Sequence, residues 1–120
     1  VEVTVISNNI FDNLPKESLP EELAESLLQE PGISIKRIIS TGQITPKGQW
    51  YDQAEDEWVI LLKGHARLFF ALDNKELVLK AGDYAFIPAH CKHRVSWTDP
   101  NDICVWLTVY LVPREGLEPS

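Results

Sequence analysis

Two of the chain's three histidines fall within one seven-residue stretch, Pro88-Ala89-His90-Cys91-Lys92-His93-Arg94. Imidazoles three residues apart at the end of an expected strand can offer ring nitrogens to a divalent metal, provided that oxygen ligands arrive from elsewhere in the fold. Glu57 is a plausible donor, because it opens an otherwise apolar run in which Val59 and Leu61 are its period-two companions. A carboxylate facing the same way as Val59 and Leu61 points inward, and a buried carboxylate needs a cation or hydrogen-bond donors. The plainer alternative leaves Glu57 in water at a strand mouth, or paired with Arg37 or Arg94, and makes the histidines part of a turn. A Cys91 nucleophile is a weaker option, since no third group is evident to orient His90 or His93 beside it.

Two more residues bear on a pocket. Trp97 stands two and four residues beyond Val95 and His93, so in a regular strand it shares their inward face and could wall a cavity. Arg37 interrupts an apolar alternation, and either anchors an anionic substrate through its planar fork or pairs with a carboxylate such as Glu57.

The elements that must position these side chains are mostly short strands. Ile33, Ile35 and Ile39 share one face of a strand, and Lys36 and Ser40 the other. Four further strand-like runs, 57–63, 66–72, 76–80 and 83–88, are separated by turn signals at Gly64-His65, Asp73-Asn74 and Ala81-Gly82. Runs at 95–97 and 103–112 close the series around Asp99-Pro100-Asn101-Asp102. Such spacing predicts an all-β sandwich or barrel. Before it, Val1 to Ile6 reads as an edge strand. Ser18-Leu19-Pro20-Glu21 reads as a capping box opening a short helix with Leu23, Ala24, Leu27 and Leu28 on one face, ended by Pro31-Gly32. The expected organisation is one domain: an N-terminal strand and helix over 1–32, the barrel over 33–113, and a frayed tail over 114–120.

Two spaced motifs resemble those of the cupin superfamily. Glu57, six residues and Gly64 match the end of its first motif. Gly82, five residues, Pro88, Ala89, His90, two residues and His93 match its second, except that His90 stands where the family has glycine. The resemblance runs from Gly42 to about Leu111. Around Trp50-Tyr51-Asp52-Gln53 and Glu57-Trp58 the chain is similar to small single-domain bacterial cupins. It implies a double-stranded β-helix, or jelly-roll barrel, with a short N-terminal helix, and Glu57 and His93 projecting into it as two of four metal ligands. The family's usual His-x-His positions are Tyr51 and Gln53 here. The implied set for a divalent metal (Fe, Mn, Ni or Zn) is therefore Gln53, Glu57, His93 and His90, with His90 as either ligand or hydrogen-bonding neighbour. Tyr51 and Glu57 are the candidate catalytic residues.

Composition narrows the partners. A net charge of -7 and a pI near 4.8 disfavour nucleic acid and anionic membrane surfaces. Cys91 and Cys104 form no CxxC pair, and the apolar runs are strand-sized, so a cytoplasmic protein with reduced thiols, no membrane span and no secretory signal is expected. Two functions compete: a metal-dependent enzyme on a small polar metabolite or sugar, and a non-catalytic barrel that binds a small molecule without metal. The resemblance also implies a homodimer.

Overall fold

The structure is a computed structural model that describes residues 3–113. Eight strands follow one another: β1 (Leu23–Glu30), β2 (Ile33–Ser40), β3 (Asp56–Lys63), β4 (His65–Phe70), β5 (Lys75–Lys80), β6 (Tyr84–Ile87), β7 (His93–Thr98) and β8 (Cys104–Leu111). They pair antiparallel into a five-stranded sheet, ordered β1-β2-β8-β3-β6, and a three-stranded sheet, ordered β5-β4-β7. This is the expected all-β, two-sheet architecture. No helix long and apolar enough to cross a membrane occurs among the described residues.

Period-two alternation builds the core. Val59 and Leu61 of β3, Ala66 and Leu68 of β4, Leu79, Ile87, Cys104 and Trp106 turn inward and pack together between the sheets. The chain passes from β3 to β4 through Gly64 alone, at φ +93°, where a Cβ would lie 2.7 Å from Cys104 Sγ. Any side chain there would strain the backbone and collide with the core, which explains glycine at the end of the first motif. Both cysteines are free thiols.

The N-terminal third departs from expectation. Residues 23–30 are a strand rather than a helix, and Pro31-Gly32 closes a hairpin instead of ending a helix, with Gly32 at φ +83°. Residues 23–30 carry strong helix formers, yet β1 pairs with β2 from Leu23↔Ile39 to Glu30↔Ile33, and this ladder outweighs a weak local preference. A bulge at Leu27 breaks the register, and Leu23, Leu27 and Leu28 stay partly exposed. Val3 to Ile6 form no strand, and Val3, Val5 and Ile6 are exposed. Residues 1, 2 and the expected tail at 114–120 lie outside the described residues.

The apolar row of β2 faces outward. Ile38 lines the interior beside its partner Trp106, so Ile33, Ile35, Arg37 and Ile39 belong to the opposite face. The segment before β1 is fastened to that face by Arg37, whose Nη1 donates to the carbonyls of Ile10 (2.9 Å) and Asp12 (2.6 Å). Elsewhere the outer face of the five-stranded sheet leaves Tyr84 66% and Phe86 55% exposed.

Candidate functional site

A cavity of about 90 Å³ opens between the two sheets. Its polar groups come from distant parts of the chain. Glu57 enters from the start of β3, on the face it shares with Val59 and Leu61. His93 opens β7 in the opposite sheet, Tyr110 stands on β8, with Thr108 buried behind Glu57 on the same strand, and Tyr51, Gln53 and Glu22 arrive from loops. Ile38, Val59, Leu68, Val95 and Trp106 supply apolar walls.

Glu57 and His93 join the sheets across this cavity. Glu57 is 7% and His93 4% exposed, and His93 Nε2 lies 3.5 Å from Glu57 Oε1. The other Glu57 oxygen accepts a 2.6 Å hydrogen bond from Thr108 Oγ1, and Gln53 Nε2 donates to Oε1 at 3.2 Å. His93 Nδ1 meets the carbonyl of Cys91 at 2.8 Å, which assigns the proton to Nδ1 and aims Nε2 at the cavity. Burial opposes charge on both groups. For Glu57 the hydrogen bonds from His93, Thr108 and Gln53 prevail and hold the carboxyl below its usual range. For His93 the Glu57 carboxylate and the Cys91 carbonyl prevail and raise the imidazole above its ordinary value. Both shifts favour the charged forms, a carboxylate at Glu57 and a protonated ring at His93, over those of the free groups.

The loop carrying Tyr51 and Gln53 is pinned to the start of β7. Tyr51 and His93 exchange backbone hydrogen bonds of 2.8 and 3.1 Å, and His90 N–H donates to the Gln53 carbonyl at 2.7 Å. Burial, then the negative charge of Glu22, raises the Tyr51 phenol, so it remains a protonated donor. Burial also raises Glu22 and, more strongly, Tyr110.

Gln53, Glu57, His93 and Tyr51 thus converge, whereas three other candidates do not join them. His90 is turned outward: its side chain is 69% exposed and its Nδ1 lies 2.8 Å from Asp52 Oδ1. Its backbone sits at φ +62°, the left-handed conformation that glycine takes freely, which explains why the family's glycine belongs there and why the imidazole is thrown away from the barrel. Trp97 also faces outward. β7 is irregular opposite Arg67 and Leu68, where Val95 pairs with Leu68 and Trp97 with Arg67, so Ser96 is an extra residue that reverses the alternation. The Trp97 ring lies instead under the Arg67 guanidinium, 5.3 Å from its centroid. Arg37, on the outer face, is bound to Glu25 of β1 at 2.6 Å.

Glu22, Thr108 and Tyr110 are site residues that the sequence reading did not single out. Thr108 and Tyr110 were detectable as the polar members of the Trp106 alternation. Glu22 gave no signal, because the segment was read as helical.

The donor set does not fit a tightly held transition metal. Such ions take three or more nitrogen, sulfur or carboxylate ligands. The cavity offers one imidazole, His93, and two carboxylates, Glu57 and Glu22; Glu57 and His93 are already paired with each other, Glu57 is also bonded to Thr108 and Gln53, and Glu22 does not join them in one cluster. Among the described residues no three His, Cys, Asp or Glu side chains come together in metal-binding proximity.

Comparison with known proteins agrees with this fold. No curated protein matches the sequence. A "putative mannose-6-phosphate isomerase" from Ralstonia eutropha JMP134 is 40% identical, with 91% of this chain and 100% of that one covered and a TM-score of 0.87. A cupin superfamily protein from Desulfitobacterium hafniense DCB-2 (18% identity, 83% and 84% covered, TM-score 0.69) shares the fold. So does an RmlC-like cupin family protein with a double-stranded β-helix fold from Methanocaldococcus jannaschii (20% identity, 82% and 87% covered, TM-score 0.64). Residues 38–110 match the family model described as the cupin domain, and they run from the end of β2 through β3 to β7 and nearly all of β8, the strands that hold Glu57 and His93 included, so the chain belongs to the cupin family.

Proposed function

We propose that the barrel binds a small hydroxylated metabolite of the sugar class and that His93 shares or donates a proton to one of its oxygens. The observation that carries this reading is the buried Glu57–His93 pair facing a cavity. An imidazolium whose pKa is raised from near neutrality is matched to proton donation at physiological pH. Glu57, held as a carboxylate, keeps that imidazole charged and fixed in orientation. Tyr51 adds a phenolic donor at the mouth, and Gln53 positions Glu57. The sugar class is supported by the Ralstonia protein, whose name specifies a sugar phosphate. A cavity of about 90 Å³ suits a small ligand, or one end of a hexose with the remainder in the mouth.

Binding without turnover is the second reading, favoured because every Glu57 oxygen already accepts a hydrogen bond, leaving it a poor base. The test is ligand-observed NMR with dihydroxyacetone, glyceraldehyde and D-mannose, followed over hours for aldose–ketose interconversion. Binding that is lost in His93→Gln supports the proposal, and interconversion separates an enzyme from a binder. If no compound of this panel binds, the proposal fails. We also propose that two copies associate through the outer face around Tyr84 and Phe86.

A further inference from the structure

The charges around the cavity narrow the ligand, given the reading of the barrel as a binding site. Two carboxylates line it, Glu22 and Glu57, against one cationic group, His93, whose charge is committed to Glu57. Glu22 has no hydrogen-bond or ion-pair partner among the described residues, so its charge is free to act on whatever enters. Tyr51, Tyr110 and Trp106 present aromatic surface to the same space.

Among the described residues no arginine or lysine lines the cavity, and several are engaged elsewhere. Arg37 is bound to Glu25, Arg67 lies over Trp97, and Arg94 lies over Trp50 and Phe69 on the outside of the three-stranded sheet. Lys63 and Lys80 pair with Asp102 and Asp83. Lys36 places its Nζ 5.6 Å from the centroid of the cavity residue Tyr110 but does not itself line the cavity. An anion in this space would meet two carboxylates and no uncommitted cation. An ammonium would meet both carboxylates and three aromatic side chains, the combination that attracts organic cations.

We propose that the cavity selects against phosphorylated ligands and prefers a small hydroxylated amine to its neutral counterpart, with Glu22 as the residue that sets this preference. The raised pKa values of Glu22, Tyr51 and Tyr110 are consistent with a negative, poorly solvated interior.

Three probes of one skeleton test it: glycerol, glycerol 3-phosphate and 2-amino-1,3-propanediol, titrated at pH 6.5 and followed by protein NMR shifts. The amine is expected to bind roughly tenfold more tightly than glycerol and the phosphate roughly tenfold more weakly, tenfold corresponding to about 1.4 kcal/mol. Glu22→Gln, nearly isosteric at a partly buried loop position, should reduce the amine's advantage at least threefold and leave the fold intact. Any order in which the amine is not tightest or the phosphate not weakest overturns the inference while leaving the sugar reading in place. So does an unchanged preference in Glu22→Gln. Silence from all three probes overturns the inference alone if dihydroxyacetone, glyceraldehyde or mannose binds, and both readings if none does.

Discussion

The hydrogen bond from Thr108 to Glu57 offers a direct test of how the buried carboxylate is held. Thr108 is fully buried, and its hydroxyl donates at 2.6 Å to a carboxylate that is 7% exposed. Thr108→Val keeps nearly the same shape and removes only the donor. A hydrogen bond to a charged group contributes about 1.5–3 kcal/mol, and the substitution also leaves a desolvated oxygen without its partner. We therefore expect a loss of about 2 kcal/mol in unfolding free energy at pH 7, or about 8 °C in melting temperature for a domain of this size. Urea titration followed by tryptophan fluorescence measures it. The loss should depend on pH with a defined sign. Because the folded-state pKa of Glu57 is lowered, its stabilisation is present above the unfolded value, about 4.3, and disappears as pH falls through the folded value. The Thr108→Val penalty should therefore shrink toward pH 3. A loss under about 0.5 kcal/mol at pH 7, the level of an ordinary surface substitution, would refute the assignment. So would a penalty that stays constant across this range.

His93 carries the opposite sign. Its raised pKa adds stability that is complete below about pH 6.5 and is lost as pH rises through the folded value, so wild-type protein should weaken between neutral and alkaline pH while His93→Gln stays flatter in the same chemical-denaturation series. Dialysis against a chelator should leave the melting temperature unchanged, since an ion bound at a thousandfold above its Kd would add about 4 kcal/mol. A large fall, restored by one divalent ion, would contradict the donor-set argument. Light scattering should show a dimer that Phe86→Glu converts to monomer, and a monomeric wild type would end the proposal for the outer face.

The sequence determined the barrel because its strands are regular where they form the core. Alternation from Glu57 to Leu61 offered a core-facing carboxylate beside the alternative of a solvated strand mouth, and the motif spacing from Glu57 to Gly64 favoured the former and marked a turn that the structure shows to admit no side chain. His93 was marked by the second motif in the same way. Tertiary structure decided the rest, for three different reasons. Residues 23–30 carry helical preferences worth tenths of a kcal/mol each, and a full ladder to β2 overrides them. Trp97 and His90 depend on single-residue backbone events, an extra residue in β7 and a positive φ, which redirect side chains without changing the pattern of residue types. Arg37 and Glu22 depend on which face of β2 is the interior and where the N-terminal segment crosses. Periodicity reveals that two faces differ, but only the packing of one sheet on the other decides which is inside.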